Sequence, residues 1–304
     1  MIRHLQRKEI DDAQWNACVE HSADGHAFFY TWYLDSVFPG WSAFVQENYR
    51  SIFPVTIKKK LAIPYLLQPI FSRYTGYISP DGFDDVQAGI YLQQLSALSK
   101  YSDFALHEKH KEATEDFITE ERVYQRLKLQ AGYDELRKGY SENLIRNLKK
   151  AKKNQLEIVR GILPNEIVAG FRKHQKEVSK QFTSTNYKTL LGLMRKADEH
   201  HAAITSGVVN ENQELLAAAC FIKTNDTILY LKGFSSEEGK NKGAMHYLFD
   251  DLIQQNAVKM SYLDFGGSNL KNVARFYHSY GAQDVVYLRI RKNNLPKALR
   301  WIKR

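Results

Sequence analysis

The chain has 304 residues, of which 43% are hydrophobic and 12% aromatic, and it carries a net charge of +9. This length exceeds that of one typical domain, and the apolar content excludes a disordered chain. A charge of this sign favours an anionic partner, such as a phosphate-bearing ligand, RNA or a membrane surface. No apolar run reaches the roughly 18 residues that a transmembrane helix requires, so none is predicted.

The two cysteines, Cys18 and Cys220, lie far apart, each inside an apolar segment. This spacing predicts two buried free thiols rather than a disulfide or a nucleophile. The first eight residues are charged where a signal peptide would be apolar. Both observations lead us to expect a cytoplasmic location.

The first half of the chain alternates short helices and strands. Residues 11–22 are predicted to form a helix capped by Asp11, and residues 41–59 a β-hairpin that turns at Asn48 and Tyr49. The second half shares a loose order in which hairpin strands precede a helix and a further strand. We therefore expect a duplicated α/β domain, with boundaries at residues 1–135 and 136–304.

The positive charge is concentrated between Arg137 and Lys153, where seven cations accompany one anion. Ser141 is expected to cap a helix there, since an apolar stripe recurs at helical spacing. Four cations recur along the same helix and could form one stripe: Arg146, Lys149, Lys150 and Lys153. Two interpretations remain open, a solvated helix face and an anion-binding surface.

The C-terminal half has the most informative order of elements. Three strands with short polar turns precede a loop, and helix, strand, helix and strand follow. This order predicts an α/β fold with a mixed sheet. The predicted elements are strands 203–209, 215–223 and 227–234, loop 235–242, helix 243–256, strand 260–265, helix 269–280 and strand 285–291.

A short glycine- and lysine-containing segment precedes the first of these helices. It consists of Gly239, Lys240, Asn241, Lys242, Gly243 and Ala244. A helix N-terminus carries unsatisfied amide donors and a partial positive charge, and glycines permit close approach of an anion. The segment is thus predicted either to bind the phosphates of a ligand or to be a solvated turn.

The order of elements and two local motifs resemble the GNAT acyltransferase superfamily. One motif is the segment 239–244, which this resemblance assigns to the pyrophosphate of an acyl donor such as acetyl-coenzyme A or another acyl-coenzyme A. The other is the segment 274–282, in which Tyr277 precedes Gly281 by four residues. The resemblance implies that Tyr277 donates a proton to the departing thiolate; the alternative is a tyrosine that only packs in the core.

Three longer segments resemble the Fem type of GNAT protein, which is related to peptidoglycan aminoacyltransferases. They are residues 53–71, the basic segment 141–151, and residues 263–268 followed by Arg275, Phe276 and Tyr277. This resemblance implies two tandem GNAT folds. It also implies an aminoacyl-tRNA donor and a peptidoglycan-precursor amine as acceptor.

Neither glycine register of segment 239–244 reproduces the common GNAT donor signature, because Asn241 or Met245 stands where a small residue is expected. Asp264 is the best carboxylate for a general base, although it can equally bond the Gly266–Gly267 turn. No metal site is predicted. Three functions remain open: an N-acyltransferase that uses acyl-coenzyme A and a small amine, a Fem-type aminoacyltransferase, and a binding protein that has lost its catalytic site.

Overall fold

The computed structural model describes residues 1–60, 62–111, 113–175, 180–267 and 271–296. Contacts divide the chain into two compact units. Unit 1 comprises Met1–Val123 with the chain from Val286, and unit 2 comprises Tyr124–Val285. Each unit is of the α/β class that the sequence predicts.

Unit 1 contains a small antiparallel sheet, β1-β2-β3, and a second set of strands in the order β4-β5-β6-β13, in which only β5 and β6 are parallel. Its helices are α1 (Asp12–His21), α2 (Thr31–Val37) and α3 (Asp85–Leu98). The strands are β1 (Ile2–Gln6), β2 (Ser42–Gln46), β3 (Ile52–Val55), β4 (Ile57–Lys60), β5 (Ile63–Leu67), β6 (Tyr101–Leu106) and β13 (Gln283–Asn293).

Local signals place the early elements of unit 1. The Asp11 carboxylate accepts hydrogen bonds from the amides of Ala13 and Gln14, which confirms the predicted cap of α1. Asn48 and Tyr49 adopt left-handed backbone angles between β2 and β3, as the predicted hairpin requires. The core of this unit forms where α3 packs on the sheet, with Phe53 stacked 5.9 Å from Tyr91.

Unit 2 is built on strands in the order β7-β12-β11-β10-β9-β8, in which only β11 and β12 are parallel. The strands are β7 (Ile118–Lys128), β8 (Glu157–Arg160), β9 (Ala203–Val209), β10 (Leu215–Thr224), β11 (Thr227–Ser235) and β12 (Tyr262–Asp264). The helices are α4 (Tyr133–Lys138), α5 (Glu142–Lys153), α6 (Pro164–His174), α7 (Ser184–Glu199), α8 (Glu237–Lys242), α9 (Ala244–Asn256) and α10 (Lys271–His278).

The predicted mixed sheet of the C-terminal half is confirmed, but the predicted loop 235–242 is wrong. Ser236 caps a short helix there, α8, and Gly243 in the left-handed conformation separates α8 from α9. A β-carbon on Gly239 would lie 2.4 Å from the carbonyl oxygen of Leu216, so glycine lets α8 pack directly on β10. This tertiary contact overrides the low helix propensity of glycine.

Both cysteines are buried and free, as predicted. Burial raises the pKa of each thiol to about 12, so neither is a thiolate at neutral pH. Among the helices that the structure describes, none is both long enough and apolar enough to cross a bilayer.

Candidate active site in unit 2

Strand β11 runs beside β12 for only part of its own length. Their pairing covers Thr227–Leu229 on β11 and Tyr262–Asp264 on β12. Strand β11 then continues to Ser235, whereas β12 ends. The sheet therefore opens beyond Asp264, next to the backbone of β11.

A β-bulge interrupts β11 at this opening. Cys220 of β10 pairs with Lys232, and the next residue, Phe221, pairs with Tyr230, so that Leu231 is left out of the register. The extra residue of a bulge leaves the hydrogen-bond ladder, and its backbone groups can bind another molecule. At this bulge, next to the opening, a backbone N–H can donate a hydrogen bond to the carbonyl oxygen of a ligand.

Tyr277, for which the resemblance to GNAT proteins implies the role of proton donor, is buried beside this opening. Its side chain is on α10, and its ring lies 4.7 Å from that of Phe265. Burial raises the pKa of the Tyr277 phenol well above its ordinary value, and the nearby Tyr230 and Asp264 raise it further. The structure therefore brings together the two residues that the sequence predicts to be catalytic, Tyr277 and Asp264.

Asp264 is almost fully buried at the end of β12. Its Oδ1 accepts a hydrogen bond of 2.8 Å from the amide of Gly266, which has a left-handed backbone. This is the turn-bonding role that the sequence allows beside the catalytic one. The assignment of Asp264 as a general base stays a prediction. Ser268, which the sequence favours as the N-cap of the following helix, lies outside the described residues.

Tyr230 and Lys232 flank the bulge and were not singled out by any sequence motif. The Tyr230 ring packs 5.1 Å from Phe249 of α9, whereas the Lys232 amine lies 5.8 Å above the ring of Phe171 in α6. Burial lowers the pKa of the Lys232 amine and raises that of the Tyr230 phenol. Only the register shift at Leu231, a tertiary feature, makes these two side chains neighbours of the opening.

The segment predicted to bind the donor is hydrogen-bonded internally. The Gly239 amide donates to Ser236 Oγ, and the Lys240 amide to the Ser236 carbonyl, each over 2.9 Å. Lys240 and Lys242 form surface ion pairs of 2.6 and 2.7 Å with Glu237 and Glu238. These amides are therefore not presented to a ligand as an open loop would present them. Donor binding by residues 239–244 stays a prediction.

The basic segment forms one helix, α5, as predicted, with Ser141 Oγ accepting a hydrogen bond of 3.2 Å from the Leu144 amide. Leu144, Leu148 and Ala151 are buried against the core. The cationic stripe, defined as Arg146, Lys149, Lys150 and Lys153, is exposed on the other face. Within the described ranges these four side chains form no ion pair, so the face keeps its charge; anion binding by the stripe stays a prediction.

The fold is similar to that of a solved Fem protein, as the resemblance in the sequence implies. The solved structures that it matches include FemX, with a TM-score of 0.67 and 14% identity over 99% of both chains. A conserved protein of unknown function from Bacteroides thetaiotaomicron matches with a TM-score of 0.62 and 12% identity, over 96% of this chain and 99% of its own.

A third match is L-PGS from Bacillus licheniformis, with a TM-score of 0.58 and 10% identity over 96% of this chain and 95% of that one. No protein-family model matches the sequence, and no curated protein does. At such low identities, the likeness to solved structures establishes the fold alone.

Proposed function

We propose that the chain is an N-acyltransferase that moves an acyl group from an activated donor to an amine. The observation that carries this proposal is the convergence of Tyr277, Tyr230 and Asp264 at the opening of the sheet, next to the bulge at Leu231. The fold shared with FemX supports it. The acceptor is the amine of a small molecule or of a peptidoglycan precursor.

The amine nitrogen would attack the carbonyl carbon of the donor, forming the new C–N bond and a tetrahedral oxyanion. A backbone N–H at the bulge would stabilise that oxyanion, as preorganised donors do in acyl transfer. When the bond to the leaving group breaks, Tyr277 would give its proton to the departing atom. Asp264 would accept the proton that the attacking amine loses.

The first candidate donor is an acyl-coenzyme A, whose leaving group is a thiolate. A second candidate, an aminoacyl ester of tRNA, is favoured by two observations. The first is that burial raises the pKa of the Tyr277 phenol well above its ordinary value. Proton transfer is most effective when the acid and the leaving group have similar basicity, and an alkoxide is more basic than a thiolate. The second is the cationic stripe of α5, which suits a nucleic acid.

Single-turnover assays with acetyl-coenzyme A and with aminoacyl-tRNA, each offered a panel of amines, test this proposal. The Tyr277→Phe variant removes only the phenolic proton and is expected to lower the rate roughly 100-fold. Tyr187→Phe, a change of the same kind on α7, is expected to stay within twofold of the wild type. The decrease in rate that Tyr277→Phe causes should be larger with the ester donor than with the thioester donor.

A Tyr277→Phe variant with the wild-type rate would remove Tyr277 from the mechanism. If neither donor transfers its acyl group to any amine, while circular dichroism shows a folded protein, the third interpretation holds. The chain would then be a binding protein that keeps the fold without the reaction.

A further inference from the structure

A pocket of about 580 Å³ lies in unit 2 beside the buried tyrosines. Three helices form it: the start of α5, the first turn of α9, and α10. Its lining consists of Ser141, Asn143, Arg146, His246, Asn272, Arg275, Phe276, His278 and Ser279. Apart from Arg146, none of these residues was predicted from the sequence to bind a ligand.

The rim of this pocket is positive. Arg146 of α5 and Arg275 of α10 both line it, and no aspartate or glutamate does. Neither guanidinium forms an ion pair with any residue that the structure describes. His278 has a carboxylate partner, Asp284, at 2.9 Å. Two unpaired guanidiniums facing one cavity repel each other, and an anion bound between them would turn that repulsion into attraction.

Two aromatic rings also line the pocket. The rings of His246 and Phe276 lie 4.8 Å apart with a tilt of 60°. Burial lowers the pKa of His246 to about 4, so the imidazole is neutral at physiological pH and adds no charge. A neutral aromatic surface beside arginines is the arrangement on which proteins stack a nucleobase while they hold its phosphate.

We propose that this pocket binds a nucleoside phosphate, with the phosphate between Arg146 and Arg275 and the base against Phe276 and His246. The side chains of Asn143 and Asn272 would provide hydrogen bonds to the base or the ribose. The ligand class follows from the pocket itself and does not depend on the acyl-transfer reaction.

The position of the pocket also gives it a place in the proposed reaction. Helix α10 contributes Arg275 and Phe276 to the pocket and the next residue, Tyr277, to the reaction centre. A nucleotide held there would be the carrier end of the acyl donor, and its acyl end would reach the sheet opening. This assignment of the ligand as the carrier rests on the proposed function.

Calorimetric titration with adenosine diphosphate (ADP) tests the pocket without any acyl chemistry. We expect the wild type to bind ADP and Arg146→Ala/Arg275→Ala to bind it at least tenfold more weakly. The control is Lys152→Ala/Lys271→Ala, which removes two exposed cations from the same helices outside the pocket. Its affinity is expected to stay within twofold of the wild type.

The Phe276→Leu variant tests the contribution of the base to binding separately from that of the phosphate. It is expected to weaken ADP binding severalfold and to leave the affinity for inorganic pyrophosphate unchanged, because pyrophosphate has no base to stack. A short oligoribonucleotide ending in adenosine distinguishes two sources of the same chemistry. Tighter binding of the oligoribonucleotide than of ADP would identify the end of an RNA as the ligand, and tighter binding of ADP a free nucleotide.

The pocket proposal is overturned if the folded wild type binds neither ADP nor the oligoribonucleotide. It is also overturned if the lysine control loses as much affinity as the arginine variant, since the binding would then be a general effect of charge. The two proposals fail separately. ADP binding without acyl transfer from any donor would sink the enzyme proposal alone, and acyl transfer without nucleotide binding would sink the pocket alone.

Discussion

Gly243, between α8 and α9, lies directly against the backbone carbonyl of Asn147 in α5. A β-carbon on Gly243 would be 2.7 Å from that oxygen, and the residue has a left-handed backbone with φ of 76°. Helix α5, which carries the cationic stripe, and helix α9, whose first turn lines the pocket, are thus joined at a point where only glycine fits. This contact sets how closely the two helices approach.

The first prediction concerns this contact. Gly243→Ala is expected to lower the free energy of unfolding by about 1–3 kcal/mol, because the new methyl group forces both an unfavourable backbone angle and a clash. Gly192→Ala is the matched control, since its β-carbon on α7 would meet no atom within 4 Å. It is expected to be neutral or to stabilise by about 0.5–1 kcal/mol. Urea unfolding measures both, and equal effects would contradict the prediction.

The second prediction concerns a buried carboxyl group on α9. Burial raises the pKa of Asp250, and Tyr133 donates a hydrogen bond of 2.8 Å to its Oδ1. Tyr133→Phe leaves that buried oxygen without this donor and is expected to cost about 1–3 kcal/mol of unfolding free energy. In an Asp250→Leu background, the same change should cost much less. A double-mutant cycle by urea unfolding measures the coupling, and additive effects would exclude it.

The third prediction concerns the pH dependence of stability. His110 is buried in unit 1, its Nε2 accepts a hydrogen bond of 3.1 Å from the Tyr77 amide, and burial lowers its pKa to about 3. Since the folded pKa lies below that of the unfolded chain, the unfolded chain takes up the proton first as the pH falls. The stabilisation is therefore complete above about pH 6.5 and is lost progressively below it.

Between pH 6.5 and 4, His110 alone is expected to account for a loss on the order of 3 kcal/mol. Urea unfolding at constant ionic strength measures how the free energy of unfolding changes with pH. The measurement compares the wild type with His110→Gln, which keeps a neutral hydrogen-bond acceptor. The variant should lose less stability over the same interval. An identical slope in the two proteins would mean that His110 does not control acid unfolding.

The fourth prediction sets the lysines of segment 239–244 against the pocket arginines. Lys240 and Lys242 are already paired with Glu237 and Glu238 on the surface. Lys240→Ala/Lys242→Ala is therefore expected to change the affinity for whichever donor binds by less than threefold, whereas Arg146→Ala/Arg275→Ala should lower it at least tenfold. Calorimetric titration compares them. If the lysine variant lost more affinity for the donor than the arginine variant, residues 239–244 would be the main donor site.

Elements with strong local signals were predictable. The cap at Ser141 and the apolar stripe of Leu144 and Leu148 place α5, because both signals act within a few residues. Helix α8 was not predictable in the same way. Gly239 lowers the local helix propensity, and only its contact with Leu216 shows why a glycine belongs there.

The residues of the candidate site also differ in how far the sequence predicts them. A motif with one distinctive residue, such as Tyr277, stands out in a single sequence. His246 does not, because an isolated histidine has no pattern, and most of the residues that line the pocket with it come from other helices. The bulge at Leu231 is likewise a property of two paired strands, and β11 alone does not encode it.

The sequence by itself determined the α/β class of fold, the order of the strands and longer helices in the C-terminal half, and the cationic helix. These follow from periodicity, capping and residue type, which are local properties. The tertiary structure decided which side chains share a site: Asp264 lies close enough to Tyr277 to raise the pKa of its phenol, and Arg146 and Arg275 line one pocket. Which side chains share a site depends on how separate elements pack together, and interactions within one element do not determine that packing.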